Sequence, residues 1–481
     1  MTSDLHWWTA GDLAAAIRGR EVSAREALEH FVERIERLDG PVNSVVMWDL
    51  DRAREAARAA DESVHEGEKL GPLHGVPMTI KDTFQTEGCV TAAGAPQLAT
   101  FVPTEDAWPV AQLRAAGAIP FAKTNVPMFA DDIQTYNDVY GTTNNPHDVS
   151  RTPGGSSGGS AAALSMGFTP IELGSDIGGS IRLPSHSCGV MGHKPSYGIV
   201  PGHGHIPGLP GTLTQADLNV VGPMARSIGD LELQLDLLAG PDRWNAPAWR
   251  LELPPARAAT LGELRIAAWI DDPYCAVDAS TRRLLGQTVA AIEDAGGGVD
   301  TEARPGFTLE EVDTVFNRLL YAALSGAHAP EKIEHLAANT DDTPAGFCKR
   351  ATAMRHRDWL ADNERRLQIR EQWRQFFERF DVILLPVQPR PAFPHDHSTP
   401  MMARTVEIDG ARRTYLDLTG WIGPAGAGFL PATVVPIGLA EDGLPVGVQV
   451  VGPYLQDRTT LQAGQLIARL RGGCPRPALA R

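Results

Sequence analysis

Lysine is scarce in this 481-residue chain: only Lys69, Lys81, Lys123, Lys194, Lys332 and Lys349 occur, against 37 arginines. Positive charge as a whole is in deficit, with 43 Lys and Arg against 59 Asp and Glu and a net charge of −16. That balance argues against a general nucleic-acid or anionic-membrane surface, since both need clustered cations. Cysteine is scarcer still. Cys89, Cys188, Cys275, Cys348 and Cys474 are odd in number and include no Cys-x-x-Cys, so neither a zinc site nor a disulfide framework is supported. No run approaches the ~18 apolar residues of a membrane helix, and the stretch Met1 to Trp8 has an acidic residue and no apolar signal-like segment. A cytoplasmic protein without metal or cofactor is the expectation.

Glycine is abundant where it matters. Nine glycines fall between Gly154 and Gly189, and two glycine-flanked serines, Ser156 and Ser180, lie 24 residues apart within them. Glycine at that density allows positive φ and close backbone approach to a ligand, at an entropic cost that a plain core would not repay. Serine hydroxyls on such loops, beside free backbone N–H groups, supply a nucleophile and an oxyanion hole. A flexible linker fits poorly, because Ala161 to Met166 reads as helix, Pro170 to Leu173 as buried strand and Ile181 to Pro184 as ordered sequence. A phosphate loop would end in Gly-Lys-Ser/Thr, which is missing. Gly155 to Gly159 also satisfies Gly-x-Ser-x-Gly, the nucleophile elbow of a Ser-His-Asp esterase, although neither His395 nor His397 sits in a context that marks a triad base.

The lysines add a second signal. Lys81 ends the buried-strand pattern Gly75 to Asp82, and Lys123 follows a similar run from Ile119. Burial disfavours the ammonium, and only a neutral amine acts as a base. The plain alternative is a lysine paired with Asp82.

Taken together, Gly75 to Asp82, Lys123 to Asn125, Thr142 to Pro146, Gly154 to Gly159, Gly174 to Arg182, Gly192 to Ser196, Gly222 to Arg226, Leu430 to Ala432 and Gly443 to Gln449 resemble the amidase signature family in order and over most of the chain. The resemblance implies an α/β fold with a central mixed β-sheet flanked by α-helices in a single large domain, residues 1–481. It implies a Ser-cisSer-Lys triad with Ser180 as nucleophile, Ser156 as proton shuttle behind a cis Gly155–Ser156 peptide, and Lys81 as base. The backbone N–H groups of Ile177, Gly178, Gly179 and Ser180 would form the oxyanion hole. Ser157, Ser175, Asp176 and Arg182 would hold the glycine loops by hydrogen bonds. Cys188 reads as packed core.

Capping-box patterns at Thr9 and Ser23 predict two opening helices, within about 9–37. Strand Asn43 to Trp48, helix Arg52 to Ala60, helix Ala107 to Ala116 and strand Ala118 to Ala122 continue an α/β alternation through a catalytic core of about 70–240. Strand Leu264 to Trp269 and helix Ala279 to Ala295 follow, then a helical region of about 305–380 that the family resemblance implies would help cover the active-site mouth. Core strands return over about 381–470, and the tail after Leu470 is expected to fray.

Substrate scope is read from the loops. Met128, Phe129, Gln134, Trp421, Ile422 and Phe429 are the candidate pocket residues, and their apolar bias points to small neutral aryl or alkyl amides, with esters and carbamates sharing the same carbonyl. The alternatives are the glutaminase subunit of a tRNA-dependent amidotransferase, from whose Met-x-Glu-Phe-Ala pattern the segment after Asn125 departs, and a Ser-His-Asp esterase. A small-molecule substrate is expected, with no nucleic-acid or membrane partner, and the opening helices could support a homodimer.

Overall fold

The computed structural model describes residues 4–206 and 208–481. Its first helices begin where the caps fall: Thr9 accepts from the Asp12 N–H ahead of Ala10–Arg18, and Ser23 and Glu26 cap one another at Ala24–Leu38. Each cap satisfies N–H groups that the first helical turn leaves unpaired. The second helix then buries Ala24, Ala27, Leu28, Phe31, Val32 and Ile35, the three-and-four spacing of one apolar face.

Two sheets position the site. In the smaller, Ile119–Thr124 lies between Val45–Trp48, antiparallel to it, and Pro77–Lys81, parallel to it. The larger is an eight-stranded mixed sheet in the order Gly298–Asp300, Arg265–Ala268, Val382–Pro386, Pro445–Val451, Ala432–Leu439, Met191–Lys194, Val220–Ala225, Ile171–Asp176. The first three of these run parallel and the remaining neighbours pair antiparallel. Helices flank it, so strands such as Val382–Pro386 and Pro445–Val451 are buried along their whole length. Pro77–Lys81 packs beside Ile171–Asp176, where the Thr79 N–H donates to Thr169 Oγ1 at 3.2 Å. That contact carries Lys81 from one sheet to the edge of the other.

The segment read as a helical cover folds as Leu309–Leu324, Pro330–Ala337, Pro344–Thr352 and His356–Arg379. Leu309–Leu324 buries Leu309, Val312, Val315, Phe316 and Leu319, and His356–Arg379 buries Ile369, Trp373, Phe376 and Phe377, in a second apolar cluster with Trp269 and Trp421. The tail departs from expectation. Instead of fraying, it returns to the body of the protein: Ala480 is buried, and the Arg34 guanidinium donates to its carbonyl at 2.5 Å. No helix among the described residues is long and apolar enough to cross a membrane.

Candidate active site

Lys81 closes a strand in which every residue is buried, and it is itself fully buried. Its Nζ lies 2.8 Å from Ser156 Oγ and 2.9 Å from Ser175 Oγ. Burial pushes the Lys81 ammonium down to about 7, against the pull of the Asp176 and Glu172 carboxylates. Glu172 lies behind it, accepting from the Thr79 and Thr124 hydroxyls at 2.7 and 2.9 Å, and burial raises its carboxyl to about 7. Asp82 is not the partner of Lys81. Its carboxylate accepts from the Ala92 and Gly94 N–H groups, and the lysine whose charge acts on it is Lys123. Lys123 in turn donates to the Phe84 carbonyl and the Thr86 hydroxyl, which fixes the loop leaving Lys81.

Ser156 follows a cis peptide from Gly155, and the Ser157 N–H donates to the Ser180 carbonyl at 3.2 Å, tying the two serine loops together. The Ser156 loop is wedged between backbones. A Cβ on Gly155 would stand 2.8 Å from the Asp132 carbonyl oxygen, and one on Gly159 would stand 2.4 Å from the Asn125 nitrogen. Ser180 keeps 7% of its surface exposed, in contrast to the fully buried Lys81.

Asp176 organises the turn that carries Ser180. Its carboxylate takes the Gly179, Ile181 and Arg182 N–H groups and two guanidinium nitrogens of Arg182, at 2.9–3.3 Å. Burial works to raise this carboxyl, yet the Arg182 guanidinium and these hydrogen bonds hold it below its ordinary value. Arg182 also donates to the Ile422 carbonyl and to Gln449, so it is structural. The expected set of four oxyanion donors is corrected here: the Gly179 N–H points at Asp176, which leaves Ile177, Gly178 and Ser180. Ser157 is buried, with its hydroxyl unpartnered among the described residues.

The pocket residues read from sequence divide. Met128 is 49% exposed, and Phe129, at φ 53°, packs beside Ala93, Leu98 and Ile206. Gln134 is fully buried and bridges the Asp396 carbonyl and the Tyr415 hydroxyl, so its polar atoms are unavailable to a substrate. Trp421 is fully buried, donating to the Cys275 carbonyl and stacked edge-on against Trp269. Ile422 is equally enclosed, its Cδ1 against Gly179. Phe429 lies under the guanidinium groups of Arg366 and Arg370 and stacks on Tyr197. Gln134, Trp421 and Ile422 are packing residues, because side chains without accessible surface present none to a ligand, whereas Phe429 keeps 8% of its surface exposed. Sequence reasoning missed Leu320, which reaches within 3.5 Å of where a Gly178 Cβ would stand, and its neighbour Tyr321. Nothing local in helix Leu309–Leu324 signals that proximity.

Among the described residues no histidine hydrogen-bonds to Ser156 or Ser180. His395 and His397 have buried ring nitrogens without hydrogen-bond partners among the described residues, and the buried pair His193–Asp457 engages Thr433 and Ser196. Cys188 is buried, with its Sγ on the Pro153 carbonyl.

The Amidase family profile matches residues 26–461. The chain belongs to the amidase signature family. A curated relative from Acidothermus cellulolyticus, one subunit of its Glutamyl-tRNA(Gln) amidotransferase, is 34% identical over 96% of this chain and 94% of its own length. A solved amidase is 28% identical with a TM-score of 0.79, covering 96% of this chain and 99% of that one. A bacterial aryl acylamidase of the amidase signature family shares the fold, with a TM-score of 0.82 at 24% identity and 97% of each chain covered.

Proposed function

We propose that this amidase-family enzyme cleaves a carboxamide C–N bond through an acyl-enzyme on Ser180. The observation that carries the reading is the buried Lys81 amine 2.8 Å from Ser156 Oγ, with Ser156 on the loop hydrogen-bonded to Ser180. Neutral Lys81 takes the Ser156 proton as Ser156 takes that of Ser180, and the Ser180 oxygen adds to the substrate carbonyl carbon. The Ile177, Gly178 and Ser180 N–H groups face the resulting oxyanion. Ser156 then returns a proton to the leaving nitrogen, the C–N bond breaks, and water hydrolyses the ester by the reverse relay to give a carboxylic acid.

Small aryl or alkyl amides are the proposed substrates, with esters and carbamates presenting the same carbonyl to the same groups. A second reading rests on the curated relatives: as the glutaminase subunit of a tRNA-dependent amidotransferase, the chain would hydrolyse glutamine and pass ammonia to a partner protein that acts on charged tRNA. Sequence similarity favours this second reading, whereas the Val126-Pro127-Met128 departure after Asn125 favours the first. Purified chain assayed alone on an acetanilide, its matched ester, a phenylcarbamate and glutamine separates them. Anilide turnover without partners is expected; a clear preference for glutamine would transfer the assignment to the second reading. A sulfonyl fluoride should label Ser180, and an adduct on Ser156 or Ser157 instead would overturn the nucleophile.

A further inference from the structure

Asp131 directly precedes the segment that packs on the Ser156 loop, and the proposed mechanism gives it no task. It follows the Met128–Ala130 turn, and the backbone of Asp132 to Gln134 immediately after it packs on Gly155, the residue before the shuttle serine. From the opposite side, Leu320 packs toward Gly178 and the next residue, Tyr321, directs its hydroxyl to Met402 Sδ at 3.8 Å. The Asp131 carboxylate is close enough to Tyr321 for its charge to act on that hydroxyl. Asp131 is solvent-exposed and, among the described residues, has no hydrogen bond or ion pair to its side chain.

The neighbouring Asp132 differs in every respect. It is 9% exposed, and its carboxylate is taken by the Arg404 guanidinium and the Tyr136 and Tyr415 hydroxyls at 2.6–3.1 Å. One carboxylate is therefore built into the packing and the next is left free. The free one is crowded enough that desolvation, together with the Asp132 charge, raises its carboxyl to about 6 despite the opposing charge of Lys332. Lys332 belongs to the short helix Pro330–Ala337, which buries none of its residues. A carboxylate so placed gains most from a ligand that replaces lost water with a donated N–H.

We propose that Asp131 is a specificity-determining residue at the active-site mouth, selecting amides that carry a primary ammonium group on the part of the molecule remote from the scissile carbonyl. The inference rests on amide hydrolysis at Ser180 and narrows the substrate class from neutral amides to cationic ones. Lys332 is then a mobile counter-charge that the substrate ammonium displaces.

Two isosteric pairs test it: the acetanilides bearing para-aminomethyl or para-ethyl on the aniline ring, and the benzanilides bearing the same groups on the acyl ring. The kcat/KM ratio of ammonium to ethyl compound is expected to exceed about tenfold in at least one pair at pH 8 and low salt. It should fall toward one in Asp131→Asn, persist in Asp131→Glu, rise in Lys332→Ala, and shrink as pH drops below about 6 and the carboxylate takes up its proton. Ethyl anilides hydrolysed with no ammonium preference in either pair, or a preference unchanged in Asp131→Asn, would overturn the inference and leave amide hydrolysis standing. Turnover of none of the four would overturn the anilide reading and this inference with it.

Discussion

The proposed base, Lys81, must shed its proton at working pH, and its burial favours that loss. With the Lys81 ammonium pushed down to about 7, the neutral fraction grows as pH rises. kcat/KM is therefore expected to climb roughly tenfold per pH unit below about 7 and to level above it. A bell centred below pH 6 would point to another base. Lys81→Ala should cost on the order of 10⁴ in rate, as removal of a relay member does elsewhere. Arg182 presents a different residue-scale case. Arg182→Met would leave the Asp176 carboxylate buried without its cation, a loss of about 3–5 kcal/mol, and would loosen the turn that Asp176 holds through the Gly179 N–H. Lower thermal stability together with lower kcat is the expected result, and a variant with intact stability would contradict the clamp. At this scale the serines and Lys81 were legible because glycine flanks and an apolar run are local signals. Trp421, Ile422 and Gln134 were misread because apolar or amide character in a loop does not say whether the side chain faces a ligand or the core.

At the scale of elements, the caps at Thr9 and Ser23 located the two opening helices and apolar runs located the longer buried strands, whereas helices Ile228–Leu238 and Asp457–Arg471 and strands Met191–Lys194 and Val220–Ala225 went unread. Strand order was not legible, because register between residues hundreds of positions apart leaves no local trace. The same blindness hid the approach of Leu309–Leu324 to Gly178. Backbone contact between elements makes a specific prediction at helix Gly158–Ser165, which begins just after the shuttle serine. A methyl group at Gly159 would collide with the Asn125 backbone at 2.4–2.5 Å, where neither side can yield without parting the helix from strand Ile119–Thr124. Gly159→Ala should lose about 1–3 kcal/mol and depress kcat. Gly286→Ala, inside helix Ala279–Asp294 with nothing within 4 Å of the new methyl, should instead gain up to about 1 kcal/mol. Paired melting curves and rates on the two variants check both signs, and equal effects would show that the Asn125 contact is not limiting.

Across the whole molecule, the two ends of the chain close on the back of the catalytic core around one ring. The Arg34, Arg226 and Arg476 guanidiniums lie 5.5, 5.4 and 4.5 Å from the Trp7 ring centre. Arg226 also donates to the Leu164, Thr169 and His6 carbonyls, and Arg34 to those of Met166 and Ala480, so the first turn, the end of the shuttle-serine helix and the tail share one set of hydrogen bonds. Three cations around His6 are tolerable only while that imidazole is neutral, and burial with the arginine charges holds it down to about 3. Because the unfolded histidine takes its proton near its ordinary value of 6.5, this contribution to stability is complete above that pH and is lost as pH falls toward 3. Melting temperature should accordingly decline on acidification below about 6.5, and His6→Gln should flatten part of that decline. Trp7→Ala removes the ring on which the three cations stack, so carboxypeptidase should trim the residues after Gly472 faster than in the parent at about pH 7.5, while hydrolysis at Ser180 persists. Trimming at the same rate in both proteins would mean that the tail is held without the ring, by hydrogen bonds such as those of Arg34 to the Ala480 carbonyl and of Cys474 to the Arg226 carbonyl.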